Sequence, residues 1–170
     1  MAFFSGWQVA KVDQKGRVSV PAKFRAVLLE AARKHAISQG LPVDDIKDGT
    51  LNFGLRPDEI RGCLEGFGHE LLEEYSQKLG VSPDLSDPDM AYYYKLIGET
   101  QDTGFDGNGR IVLPDYMMDV AGLVPGDSVH FVGRGKTFQI WSQERHEAFR
   151  VRLTQHAARS SHGVLPGGLP

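Results

Sequence analysis

A nine-residue phrase stands twice in this chain, as DQKGRVSVP from Asp13 to Pro21 and as DGNGRIVLP from Asp106 to Pro114. Asp, Gly, Arg and Pro occupy matching places, and Val18 and Val20 in the first copy answer to the apolar Ile111 and Leu113 in the second. A repeated phrase of this kind marks a duplicated module, and both copies must satisfy the same local geometry.

That geometry can be read from the residue types. Apolar residues alternate on both sides of the first copy, with Trp7, Val9 and Val12 before it and Val18 and Val20 after, which predicts two short strands flanking a turn, closed as a hairpin. Gly16 and Gly109 can take a positive φ without strain, and Asp13 and Asp106 can accept hydrogen bonds from backbone N–H groups a few residues on. Pro21 and Pro114 end the strands and suit the first position of a following helix. Three residues separate Asp from Arg in each copy, so the guanidinium leaves the loop near its tip. From there Arg17 can pair with Asp13 or reach outward, and the spacing alone leaves both open.

The rest of the chain alternates helix and strand signals. After Pro21, Phe24, Val27, Leu28, Ala31 and Ala32 share one helical face. Residues 51–55 read as a short strand. From Pro57 to Leu79, Ile60, Leu64, Phe67, Leu71 and Tyr75 fall at helical spacing, although Gly62, Gly66 and Gly68 each weaken such a helix by roughly 1 kcal/mol. Residues 81–89, rich in Pro and Asp, read as a linker, and MAYYYKLIGE as a short helix, with Tyr92, Tyr93 and Tyr94 expected in core and subunit packing. In the second half GLVPGD reads as a turn, SVHFVG and TFQIW as strands, and Ser142 as the cap of a helix that frays over about the last fifteen residues.

These signals predict an α+β protein with a first module at 5–55, a helical segment and acidic linker at 56–97, a second module at 98–145, and a C-terminal helix and flexible tail at 146–170. Each half is small, so the two must bury apolar surface against each other. The single cysteine, Cys63, excludes an intramolecular disulfide framework and reads as a buried thiol. The N-terminal stretch lacks a secretory pattern and no run approaches the ~18 apolar residues of a membrane span, so a cytoplasmic protein without a membrane partner is expected.

The formal net charge is −3, yet the charge is unevenly placed. Residues 1–34 hold seven basic against two acidic side chains, and residues 107–170 hold seven against five; residues 44–106 hold 15 acidic against five basic. Both segments that bear a motif arginine are therefore net positive, the distribution that backbone neutralisation of DNA requires.

Enzymatic and metal motifs fail on spacing. GRGKT at 133–137 has His130 where a phosphate loop needs its first Gly and is followed by a strand pattern. DTGFDG at 102–107 faintly resembles a calcium loop, but its third place is Gly104 and its twelfth is Leu113, where a bidentate Glu is needed. The six histidines show no paired ligand spacing, His35 and His146 reading as helix-surface residues, and no metal or other cofactor is expected.

The two copies of D-x-x-x-R, Asp13 with Arg17 and Asp106 with Arg110, in their strand, turn, strand and Pro setting, resemble the MraZ family of bacterial transcriptional regulators, whose members carry two SpoVT/AbrB-type domains. The ending FQIWSQERHEAF is similar to the family's C-terminal strand and helix, and the likeness covers about residues 3–153. The resemblance implies a double-split, swapped-hairpin β-barrel with flanking helices. It also implies a ring homo-oligomer, nucleoid association, and repression of the chain's own division and cell-wall operon by binding double-stranded DNA at promoter direct repeats.

On this reading Arg17, Arg110 and Lys15 are the first DNA-binding candidates, with Lys11, Lys23, Arg25 and Asn108 beside them. Asp13, Gly16, Asp106 and Gly109 set the loops. Gly107 and Asn108 replace Gln14 and Lys15, leaving the second loop less basic, and the stretch before it carries fewer cations than the family pattern. An antitoxin-like DNA-binding module and a ring scaffold that binds no DNA are the alternatives.

Overall fold

The computed structural model describes residues 3–79 and 86–159; most of the expected linker and most of the expected tail lie outside the described residues. The elements run β1 (Trp7–Lys11), β2 (Arg17–Ser19), α1 (Ala22–Ser38), β3 (Asn52–Asp58), β4 (Cys63–Phe67), α2 (His69–Leu79), α3 (Pro88–Glu99), β5 (Gln101–Gly104), β6 (Arg110–Val112), α4 (Asp115–Ala121), β7 (Ser128–Arg134), β8 (Thr137–Ser142) and α5 (Gln143–Ala157). The architecture is α+β, with a six-stranded antiparallel sheet in the order β1-β7-β8-β4-β3-β5 and a separate two-stranded ribbon of β2 and β6.

The sheet order mirrors the repeat. The strand preceding each copy pairs with the strand that follows the other copy's helix, β1 with β7 and β5 with β3. The hairpins β3–β4 and β7–β8 meet at the centre through β4 and β8. The expected hairpin across Gly16 is therefore corrected. Asp13 N–H bonds the Arg17 carbonyl at 2.8 Å, but beyond that bond the arms part: β1 joins β7, and β2 crosses to β6.

The reason is burial. A strand of three residues cannot cover its own apolar side chains, whereas pairing Val18 with Ile111 gathers Val18, Val20, Ile111 and Leu113 into one layer, each no more than 2% exposed. Pro21 and Pro114 stand at the N-caps of α1 and α4, one place earlier than expected, where their carbonyls accept the first helical N–H groups.

Phe138 on β8 is the centre of the core. Its ring lies 5.1 to 6.0 Å from those of Phe4, Phe24, Phe53 and Phe131, all four tilted against it rather than stacked face to face. Phe24 and Leu28 bring the apolar face of α1 onto this cluster, as its periodicity predicts.

The helix expected over 57–79 is instead the end of one strand, a second strand and a shorter helix. β3 runs on to Asp58, a turn with Gly62 at φ +71° reverses the chain, β4 spans Cys63–Phe67, and only from His69 does a helix begin. The helical spacing was a coincidence of parity: Ile60 lies 88% exposed in the turn, while Leu64 and Phe67 face opposite sides of β4 and enter different apolar clusters. The glycines carried the true signal. Gly66 is paired with Phe138 across the strands, and the Phe138 ring fills the space that a Cβ would need.

Two smaller expectations are also corrected. His146 is 2% exposed rather than on the helix surface, because β7 places His130 beneath α5 and the two Nδ1 atoms share a hydrogen bond of 2.6 Å. Desolvation, followed by the neighbouring His130, pushes the His146 imidazole down to about 4, so the pair is neutral at pH 7. The core part of the tyrosine expectation is corrected: Tyr92 and Tyr94 are 47% and 39% exposed in the single chain, since Met90 and Leu96 supply the buried face of α3, and the Tyr92 hydroxyl accepts from Arg56 Nη2 at 3.2 Å. Ser142 caps α5 by accepting from Arg145 N–H, and Cys63 is buried with its thiol pKa raised mainly by burial, both as expected. No helix among the described residues is long and apolar enough to cross a membrane.

Gly66→Ala should destabilise the fold by about 1–3 kcal/mol, the usual cost of overpacking a filled core. Urea denaturation followed by tryptophan fluorescence measures this; an unchanged midpoint would refute the close Phe138 packing.

Candidate functional site

Each motif is a loop closed by one carboxylate. Asp13 Oδ1 accepts the backbone N–H of Lys15 at 2.8 Å and of Arg17 at 2.9 Å, and Oδ2 accepts Arg17 Nε–H at 2.7 Å. Asp106 repeats the pattern with Asn108 N–H at 2.8 Å, Arg110 N–H at 3.0 Å and Arg110 Nε–H at 2.7 Å. Gly16 and Gly109, at φ +74° and +72°, complete the turns in the left-handed region that favours glycine. The Arg17 alternatives are thus both met. Nε is held by Asp13, while neither Nη1 nor Nη2 of Arg17 or Arg110 is bonded to another described residue, and each side chain is about 30% exposed.

The ribbon fixes how the loops are disposed. In the β2–β6 register Arg17 lies opposite Val112 and Ser19 opposite Arg110, with the buried Val18–Ile111 pair between them on the inner face. Alternation along the strands puts Arg17, Ser19, Arg110 and Val112 on the outer face. The loops lie at its two ends, Leu113 N–H bonding the Gly16 carbonyl and Val20 N–H the Gly109 carbonyl.

The other candidates divide. Lys15 and Asn108 are exposed at equivalent loop tips, and Lys11 is exposed on β1. Lys23 lies exposed at the start of α1, its ammonium within hydrogen-bond reach of the Ser5 carbonyl and hydroxyl at 3.1 and 3.2 Å. Arg25 is committed to the fold: it donates to the Val20 carbonyl at 2.7 Å and to Asp48 at 3.1 Å, and lies where a Cβ on Gly109 would meet it at 2.5 Å.

The counterpart of Arg25 in the second copy is Met118, whose methyl lies over Gly16. The helix after each copy therefore roofs the other copy's loop. Sequence reasoning missed this exchange and the outward positions of Ser19 and Val112. Alternation along the phrase carried the second signal; nothing local carried the first.

Concave sites lie elsewhere. A cavity of about 460 Å³ between α1 and α2, lined by Phe4, Val27, Glu70, Leu71 and others, includes none of the candidate residues. Among the described residues no group of three or more His, Cys, Asp or Glu is placed to hold a metal ion. The candidate surface is an exposed, cationic strand face, which suits a macromolecular anion better than a small molecule.

The backbone N–H of Arg17 is the largest cause holding the Asp13 carboxyl below its ordinary 3.8, and Arg110 N–H does the same for Asp106. A depressed carboxylate stabilises the fold above its unfolded pKa, and that contribution is lost as pH falls through the lower folded value. Carbon-detected NMR titration should place both midpoints below 3.8. Arg17→Ala should raise the Asp13 midpoint only part of the way, because the backbone donor survives, and leave Asp106 unmoved. Full recovery to the ordinary value would contradict the assigned cause.

No protein-family profile matches the chain. Its relatives are informative: it is 38% identical to the transcriptional regulator MraZ of Rhodospirillum rubrum, over 95% of this chain and 93% of that protein. It is 39% identical to that of Parvibaculum lavamentivorans, over 89% and 83%, and 32% identical to that of Gluconacetobacter diazotrophicus, over 99% and 98%. These relatives bear the name of regulators rather than enzymes. At such identity over nearly the whole length of both partners, the chain belongs to the MraZ family of transcriptional regulators.

Proposed function

We propose that this chain is a sequence-specific DNA-binding regulator that contacts promoter DNA through the outer face of the β2–β6 ribbon and its two loops. The observation that carries the reading is the paired geometry: two arginines on one outer face, each held through Nε by its own aspartate with both terminal nitrogens unbonded to any other described residue. A guanidinium held in this way loses little further entropy on binding, and its terminal nitrogens are the fork that takes phosphate or guanine O6 and N7. Lys15 and Lys11 supply mobile charges for phosphate, Lys23 is a separate exposed cation at the start of α1 beside Ser5, and Asn108 offers hydrogen bonds where Lys15 has its counterpart. Arg25 acts from beneath by roofing the second loop.

In this proposal the two SpoVT/AbrB-like modules, centred on residues 5–55 and 98–145, make a swapped-hairpin barrel, for which the crossing of β2 to β6 is the support. One protomer offers few phosphate contacts, so a ring of protomers would bind direct repeats in the promoter of its own division and cell-wall operon. Linking sites in one assembly can raise affinity by roughly 10² to 10⁴ when their spacing permits simultaneous contact. Its place is the cytoplasm, on the nucleoid.

Fluorescence anisotropy on DNA from upstream of the chain's own gene, across a salt series, is the direct test. Arg17→Ala and Arg110→Ala should each cost affinity for the preferred sequence, from the ~1–3 kcal/mol of a bidentate base contact. Lys15→Ala should lower the salt slope by about one while leaving sequence preference in place. Binding that is absent, or indifferent to both arginines, would sink the proposal.

The ring has its own test. Shifting one repeated box by half a helical turn should abolish the avidity gain; unchanged affinity would mean that protomers bind singly.

A further inference from the structure

We infer that Val112 and Ser19 discriminate bases on the outer face of the ribbon, with Val112 receiving a thymine 5-methyl group beside the base pair that Arg17 reaches. The inference rests on the reading of this face as the DNA contact, and adds which side chains choose the sequence and why the choice has a direction.

Val112 is 60% exposed on the cationic outer face, at the end of the ribbon that holds Arg17. A lone exposed apolar residue is ordinary. The placement of this one is informative, because it stands directly across the ribbon from Arg17 and next but one to Arg110 along its own strand. The inner layer is already complete with Val18, Val20, Ile111 and Leu113, so Val112 adds nothing to the monomer's core. Ser19 fills the equivalent place in the first copy and is exposed too, which shows that the position accepts a polar residue.

An antiparallel two-stranded ribbon fits the major groove of B-DNA. Side chains directly opposite one another have Cβ atoms about 4.5–5.5 Å apart. Base pairs repeat at about 3.4 Å. A side chain beside Arg17 therefore meets the neighbouring base pair. In the major groove the apolar group on offer is the thymine methyl, the one base feature that a valine can recognise by contact. At the other end Ser19 lies opposite Arg110 and presents a hydroxyl that can donate or accept, which makes that end less selective.

The consequence is polarity. A ribbon with identical residues at its two ends would read the same bases in either orientation. Three pairs of equivalent exposed positions differ here, Gln14 against Gly107 and Lys15 against Asn108 in the loops and Ser19 against Val112 on the face. Charge and apolar contact both fall beside Arg17, since Lys15 precedes it in the loop and Val112 stands opposite it. One end of the ribbon is built for stronger and more selective contact. A directional reader of this kind suits boxes arranged head to tail.

The experiment uses the full chain and the promoter fragment described above, with thymines replaced by deoxyuridine one at a time. Uracil keeps every hydrogen-bonding group and lacks only the methyl. Native protein should lose about fourfold in affinity at one or two positions per box, the value of one buried methyl group. Val112→Ala should show no loss at those positions while keeping its thermal midpoint, the side chain being exposed. Ser19→Val should create uracil sensitivity at a new position.

A native protein indifferent to every uracil, or a Val112→Ala variant that stays sensitive at the same positions, would overturn the inference while leaving the DNA reading intact. The uracil scan of the native chain stands even if a variant fails to fold. Absence of sequence-preferring binding to the unmodified fragment would overturn both.

Discussion

Everything on the candidate surface depends on the pairing of Val18 with Ile111. That pair joins the two copies of the motif in one antiparallel ribbon, and with Val20 and Leu113 it supplies the layer against which the loops are seated. Neither copy could hold its loop alone, because three residues of strand bury too little to fix a turn. The exchange is repeated at every level. β1 pairs with β7 and β5 with β3, and Arg25 and Met118 each roof the loop of the opposite copy. Duplication has thus produced a unit whose halves are structurally inseparable, and a perturbation in one loop's support reaches the other copy first.

Within each loop the aspartate organises rather than binds. Its oxygens accept two backbone N–H groups and one guanidinium N–H, so the carboxylate is spent internally and its charge is partly neutralised. This resolves the difficulty of placing an acid on a surface meant for a polyanion. The aspartate also selects which end of the arginine is used up, leaving the terminal nitrogens for a partner. The second loop repeats these contacts with nearly the same distances, although its tip residue is Asn108 rather than Lys15. Geometry is conserved between the copies while charge is not, so any inequality between the loops is chemical.

The loop was legible in the sequence because all its determinants are local. Asp, Gly and Arg at fixed offsets specify the turn, the ion pair and the exit of the guanidinium without reference to the rest of the chain. The crossed pairing was not legible, since strand partners depend on which faces need cover once both copies are present. The stretch at 57–68 shows the same limit more sharply. Ile60, Leu64 and Phe67 satisfied a helical period, yet the glycines between them mark a turn and the close approach of Phe138. Periodicity over so few positions cannot outweigh a glycine that is needed for space. His146 was misplaced for a related reason: a histidine's burial is decided by its partner, and His130 is sixteen residues away.

The acidic middle of the chain, which set the net charge against a polyanionic partner, looks different once it is folded. Glu65 pairs with the buried Arg56 at 2.6 Å, Asp58 with Arg61 at 2.8 Å, and Lys95 with both Glu59 and Glu99. Glu74 meets Lys136, and Asp48 meets Arg25. Many of these acids are therefore consumed by cations of the same body, several of them across element boundaries, where they tie β3 to β4, α3 to the turn after β3, and α2 to the β7–β8 turn. Exposed pairs of this sort are each worth little to stability. Their larger effect is on the field, since a paired carboxylate repels an approaching phosphate less than a bare one, and at physiological salt the repulsion decays over about 8 Å. The net charge of −3 is then a poor guide to what the ribbon presents. What a polyanion meets at close range is set by Arg17, Arg110, Lys15 and Lys11, and the two loop carboxylates, Asp13 and Asp106, are already occupied in holding the arginines in place.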